Sequence, residues 1–200
     1  MDNKKIVEEH YQTRTITEVE HIPAHGQRKE TLEFRNAKHE LESVEHLGCY
    51  ICGSMVKRES HHIFERCWGN AFDYAKVAYM LYNHYDYHGH CHRDFKSHEE
   101  LLKYFVDHFH GHEEEYKYTD ELGEEKTAKI IVCDDEALDT LYNQLILGED
   151  HHRTVGHSAH GSTFATFTGM TASKPSFHIA LSTKEYQDVL KNHHEEKHGK

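Results

Sequence analysis

Three things are in short supply in this chain of 200 residues: long apolar runs, a leader-like N-terminus and positive charge. No stretch approaches the roughly 20 apolar residues that a membrane-spanning helix needs. Met1 to Glu9 carries no apolar run of the kind that makes a secretory signal. The expectation is a soluble, cytoplasmic protein with no membrane partner. Lys and Arg number 23 against 35 Asp and Glu, a net charge of −12. Nonspecific binding to nucleic acid works through Lys and Arg displacing counterions from phosphate, so this balance argues against a protein that coats DNA or RNA. A bound divalent cation would offset part of the charge locally, and histidines protonated below about pH 6.5 would offset more.

What is present is histidine, 23 of them, far above ordinary usage. Several stand in runs suggestive of ligands, and the rest read as solvated surface. With 36% hydrophobic and 11% aromatic residues, the chain can bury a small core and leave long exposed segments. Five cysteines (Cys49, Cys52, Cys67, Cys91 and Cys133) make an odd set, two of them spaced Cys-x-x-Cys. Without an export signal, that spacing points to metal or redox chemistry rather than to a disulfide framework.

Periodicity gives the element order. A strand is expected within 13–22 and a short one at 31–34. Ala37, Leu41, Val44 and Leu47 recur at helical spacing, with Asn36 able to cap the start and Gly48 to stop the helix. Gly48–Gly53 is a turn presenting two thiols, and Glu59–Phe64 a short strand. Helices are expected over 71–83 and 98–109, the second with an apolar stripe of Leu101, Leu102, Phe105, Val106 and Phe109. The acidic segment 111–127 reads as a loop or exposed hairpin and Lys129–Cys133 as a buried strand. Asp134 or Asp135 then caps a short helix to Tyr142. The run Leu145–Leu147 leads into a short helix with His151 and His152 at its start. Past the Gly-rich 156–161, strands are expected at Thr163–Thr168 and Phe177–Leu181. A closing helix, Thr183–His194, would bury Tyr186, Val189 and Leu190, ahead of a charged tail. There is no internal repeat. The fold class expected is α+β.

Trp68 and the aromatics Tyr79, Tyr82, Tyr85 and Tyr87 read as core, with stacking on bases or a partner as the alternative. Three constellations could carry chemistry. Cys49 and Cys52, on one turn, can both reach a zinc at about 2.3 Å; half a zinc site, a redox pair and plain buried thiols all remain open. In Glu59–Phe64, adjacent strand residues face opposite ways, so His61 and His62 cannot share a role: one can bind metal while the other acts as a base. The third is Asn143–Arg153, an apolar run with a polar residue before it and histidines after it, followed by His157 and His160.

Taken in order, these residues resemble the HNH (His-Me finger) endonucleases. That family places a Cys-x-x-Cys knuckle, a His-His on a strand, an Asn ahead of an apolar run, and a second knuckle ending in His. The words ESHHIFE, NQLILGEDHHR and HSAHG are similar to HNH-like proteins of phage genomes. The resemblance covers roughly 36–165. It implies a small ββα-metal finger with a zinc knuckle, a long helical insertion at about 67–138, an N-terminal strand-like extension over 1–35, and a C-terminal strand and helix over 166–200. It implies His61, His152 and His160 (or His157) as ligands of a catalytic Mg²⁺, Mn²⁺ or Zn²⁺, His62 as the general base and Asn143 as the brace that orients it. Structural Zn²⁺ would sit at Cys49, Cys52 and His151. Gly148 stands where the family has another cysteine, so a fourth zinc ligand would have to come from Cys67, Cys91 or a nearby His. The insertion holds a rival second half, Asn83 with His88, Cys91 and His92, at a more ordinary spacing. Asn143 with His152 is preferred because 82–92 lacks the apolar run. The activity implied is metal-dependent hydrolysis of DNA in the host cytoplasm. The alternatives are an inactive zinc-finger-like acidic protein that binds a host protein, or a histidine-rich metal buffer.

Overall fold

Thr31 opens the first helix of the main unit. In the computed structural model, which describes residues 18–20, 29–120, 122–153, 172, 174 and 181–183, its hydroxyl accepts from the Phe34 amide at 3.0 Å. Helix α1 (Leu32–His39) therefore starts at Leu32, and the short strand expected at 31–34 and the cap expected at Asn36 are both overturned. The helix widens into a π turn over Glu40–Val44 and ends there, short of Leu47. Gly48 is needed for another reason than stopping a helix: a Cβ on it would lie 2.6 Å from the Gly53 carbonyl oxygen, inside the cysteine turn.

Two units make up the described residues. In one, strands β1 (Glu18–Glu20) and β6 (Leu181–Thr183) pair antiparallel, Glu18 opposite Thr183. The expected strand Thr163–Thr168, nearly all of Phe177–Leu181 and of the closing helix, and His157 and His160 lie outside the described residues.

The other unit holds the rest. Strand β2 (Arg58–His62) pairs antiparallel with β5 (Gln144–Gly148), with Arg58 opposite Gly148 and His62 opposite Gln144. Helix α5 (Glu149–Arg153) follows β5 directly. Every residue of β5 is buried, as its apolar run requires; Ser60 Oγ donates to Gln144 Oε1 at 2.8 Å to satisfy the one polar side chain. Between the paired strands runs the long insertion. Helix α2 (Tyr74–Asn83) buries Tyr74, Val77, Ala78 and Leu81 on one stripe. After the short α3 (His90–Asp94), helix α4 (His98–His108) buries Leu101 and Phe105. Helices α2 and α4 pack together, Tyr74 meeting Phe105 edge-on at 6.4 Å between ring centroids.

The acidic segment forms a hairpin of two eight-residue strands, β3 (His112–Thr119) and β4 (Glu125–Val132). Its turn is held by Asp120 Oδ1, which accepts from the amides of Leu122 and Glu124 at 2.9 Å each. Gly123 takes the φ of +80° that the turn needs. The short helix expected after Cys133 is two 3₁₀ turns, Asp135–Asp139 and Leu141–Asn143. The fold is mixed α and β, with its sheets limited to two-stranded pairs among the described residues. No helix among them is long and apolar enough to cross a membrane.

Candidate metal centre

Backbone hydrogen bonds tie down the cysteine turn. Cys49 N–H donates to Ser54 O at 2.8 Å, Gly53 N–H to Cys49 O at 2.7 Å, and Tyr50 N–H to Ile146 O on β5 at 2.8 Å. These bonds set Cys49 and Cys52 beside the first turn of α5, where His151 projects. Cys49 Sγ lies 3.5 Å from His151 Nδ1, and the ligand atoms of Cys49, Cys52 and His151 all fall within 4.8 Å of one another. Zinc bonds of about 2.3 Å to sulfur and about 2.0 Å to nitrogen put tetrahedral neighbours roughly 3.5–3.8 Å apart, so the group could hold such a metal. Burial pushes the Cys49 thiol up, but N–H groups of Gly148, Cys52 and Ile51 aimed at its sulfur bring it down to about 7. A thiolate at neutral pH is what a metal ligand requires. Cys49 is buried, His151 half-buried and Cys52 exposed.

A second cluster involves the next residue of α5, His152. Strand alternation points Glu59 and His61 to one face of β2 and Ser60 and His62 to the other. His61 is 2% exposed, and its ring meets that of His152 edge-on at 5.1 Å and 69°. Glu59 Oε2 accepts from His152 Nδ1 at 2.5 Å, and Arg153 donates to both Glu59 oxygens, at 2.8 Å from Nε and 2.7 Å from Nη2. Burial pushes the Glu59 carboxyl up, but the His152 and Arg153 donors outweigh it and hold it below its ordinary value.

His62 faces the opposite way. Its Nε2 donates to Asp139 Oδ1 at 2.8 Å, and its ring stacks on Phe34 at 5.2 Å and 21°. Asp139, 1% exposed, also accepts from Arg66 Nη1 at 2.8 Å and from Thr31 Oγ1 at 2.6 Å. Its carboxyl is raised by burial and lowered more strongly by these donors, for a net fall below the ordinary range. Asn143, fully buried, closes the loop after His62: Nδ2 donates to Phe64 O (2.9 Å) and Leu138 O (2.7 Å), and Oδ1 accepts from Phe64 N–H (2.8 Å).

The rival second half is engaged elsewhere. Asn83 Nδ2 donates to Tyr79 O one turn back at 2.9 Å, and His92, with its side chain 58% exposed, donates from Nδ1 to Asp86 at 2.6 Å. Cys91 is buried in the core, its thiol pushed up by burial and by Asp86. His88 Nε2 accepts from the Ile146 amide at 3.3 Å, a brace on β5. None of these contacts involves His61. Cys91 stays in the core and Cys67 packs against it, so neither joins the metal group. Trp68 and Tyr85 are core residues, as read, whereas Tyr79 is 45% exposed.

Glu59, Arg66 and Asp139 were missed by sequence reasoning. Glu59 was findable: two residues before His61 on a strand, it must share His61's face. Asp139 carries no local signal, being 77 residues from His62. Comparison of the chain with protein-family models, curated proteins and solved structures gives no match.

Proposed function

We propose that this chain is a metal-dependent endonuclease of the HNH kind that hydrolyses phosphodiester bonds in DNA. The observation carrying the reading is the meeting of His61 from β2 with His152 from α5, two imidazoles brought to 5.1 Å by the strand pairing and the helix start. A divalent ion held by these rings, with His160 as the third donor, would supply charge stabilisation to the phosphate in the transition state. Glu59, accepting from His152 Nδ1, would fix the His152 tautomer in which Nε2 is the nitrogen without a proton. Asp139 would set the tautomer of His62: accepting the Nε2 proton, it would leave Nδ1 as the nitrogen that takes a proton from water. The water oxygen bonds to phosphorus as the P–O3′ bond breaks and the 3′ oxygen takes a proton from solvent, giving a 5′-phosphate and a 3′-hydroxyl. Asn143 holds the backbone on which His62 is mounted.

Plasmid nicking with Mg²⁺ or Mn²⁺ tests this directly. Wild type nicks only with metal, and His62→Ala reduces the rate by about 10²–10⁴-fold, the usual worth of a general base. Absence of metal-dependent cleavage by wild type across both ions would sink the reading. The second reading, an acidic zinc protein that binds a host protein, is favoured by the exposed acids of the hairpin, Glu113, Glu114, Glu115, Glu124 and Glu125. It expects zinc near 1:1, no turnover, and capture of a protein rather than DNA from host lysate.

A further inference from the structure

The five cysteines of the chain are all free thiols, and they differ in access: Cys49 and Cys91 are buried, Cys67 and Cys133 half-buried, and Cys52 exposed. Cys91 belongs to the core, and Cys67 and Cys133 pack against it. Cys49 and Cys52 share one turn, with their sulfurs within 4.8 Å of each other. Gly53 N–H closes the turn by donating to Cys49 O at 2.7 Å, and Gly53 takes a φ of +72°. A bond of that span, from the fifth residue back to the first, holds residues three apart at about one helical turn, with Cα atoms about 5 Å from each other. Disulfides bridge Cα separations of about 4.4–6.8 Å. Changing the χ1 rotamer of Cys52 swings its sulfur by about 3 Å, enough to bring the pair to the bonding distance of about 2 Å. Being exposed, Cys52 has room to turn. N–H groups of Gly148, Cys52 and Ile51 aim at the Cys49 sulfur, an environment that favours the thiolate, the nucleophilic form. One cysteine is open to solvent and the other is set to attack it.

We propose that Cys49 and Cys52 form a reversible disulfide in response to peroxide, with Cys52 as the sulfur that peroxide oxidises and Cys49 as the sulfur that resolves it. The Cys52 sulfur attacks one peroxide oxygen, the O–O bond breaks, and the other oxygen leaves with the Cys52 proton as water; Cys52 becomes a sulfenic acid. Cys49 then attacks the Cys52 sulfur, the S–O bond breaks, and the departing hydroxide takes up the Cys49 proton as a second water. The two sulfurs lose two electrons in all, and the peroxide gains them. A thiol reductant reverses the reaction by exchange through a mixed disulfide. A cysteine must be a thiolate to hold a metal, so disulfide and bound zinc exclude each other at this turn. Oxidation therefore ejects a metal held by Cys49, Cys52 and His151. The inference owes nothing to His61 and His152, and it stands or falls apart from the nuclease reading.

The test treats the full chain, as purified, with a small excess of hydrogen peroxide and reads its mass. Wild type loses about 2 Da, the two hydrogens given up to a new disulfide. A digest joins Cys49 to Cys52, and dithiothreitol restores the starting mass. Any bound zinc passes to a chromogenic chelator in step with the disulfide. In Cys49→Ser the sulfenic acid has no resolving partner, so dimedone labels Cys52 about tenfold more than in wild type. Four results overturn the proposal: a wild-type mass that stays the same or gains oxygen, equal dimedone labelling of wild type and Cys49→Ser, a disulfide from Cys52 to Cys67, Cys91 or Cys133, or zinc retained by the oxidised chain. Should Cys49→Ser not fold, the wild-type mass and digest decide alone.

Discussion

Two stretches of this chain each begin at an asparagine and lead to histidines, and they come to opposite ends. Residues 83–92 run from Asn83 through His88, Gly89, His90 and Cys91 to His92; residues 143–153 run from Asn143 through Gly148, His151 and His152 to Arg153. In the first, the side chains go separate ways: His88 accepts from the Ile146 amide, His90 bonds Glu45 Oε2 at 2.8 Å, and His92 bonds Asp86. Asp86 accepts from the amides of Cys91 (3.0 Å) and His92 (2.9 Å) and from His92 Nδ1 (2.6 Å), which closes a local turn. In the second, Leu145–Leu147 must be buried, so the segment becomes β5, pairs with β2, and carries His151 and His152 across the chain to Cys49 and His61. The difference lies in what precedes the histidines. An apolar run makes a long-range strand pair, and the pair decides whom the histidines meet.

The sharpest way to break this comparison is to remove the last histidine of each segment. His152→Ala should cut metal-dependent nicking by about a thousandfold, since a metal supplies several kcal/mol of transition-state stabilisation. His92→Ala, on a side chain that faces solvent and Asp86, should change the rate less than about twofold. Equal losses, measured under one set of conditions, would mean that the two segments share the work.

The two asparagines give the next largest contrast. Asn143→Ala strands the Phe64 N–H and two carbonyls in a buried loop, and should lower stability by about 3 kcal/mol. Asn83→Ala loses one bond on an exposed helix end and should fall within about 0.5 kcal/mol. Denaturant midpoints at constant slope read both. A large loss for Asn83 would show that the end of α2 bears more load than its exposure indicates.

How much of this was legible beforehand follows the range of the signal. The stripe on α4 and the buried run of β5 are local patterns, and both elements stand where periodicity puts them. The start of α1 was missed because Thr31 and Asn36 are both good caps, and the choice is made by Asp139, 108 residues away, which takes the Thr31 hydroxyl. The same buried carboxylate holds His62 and Arg66, and no spacing rule reaches it. Glu59 differs: alternation along β2 was enough to find it, and its effect can be measured. Glu59→Gln keeps the shape and weakens the acceptor for His152 Nδ1, so Mn²⁺ affinity at the His61–His152 site should drop by about tenfold, the low end for an outer-shell partner. Unchanged affinity would remove Glu59 from the site.

The smallest effect belongs to the Asp86 turn of 83–92, and it depends on pH. Burial pushes the Asp86 carboxyl up, but the donors from His92 and Cys91 outweigh it, so its folded value lies below the ordinary 3.8. A carboxyl depressed by folding contributes stability above its unfolded value and loses it as pH falls through the folded one. Asp86→Asn should therefore be less stable than wild type at pH 7, with the gap closing below about pH 4 as the wild-type carboxylate takes up its proton. At pH 7, zinc binding at Cys49 should be the same in both proteins, because Asp86 has no contact with Cys49, Cys52 or His151. A gap that widened toward low pH would mean that Asp86 is protonated in the folded chain, and that the turn of 83–92 is held by something other than its charge.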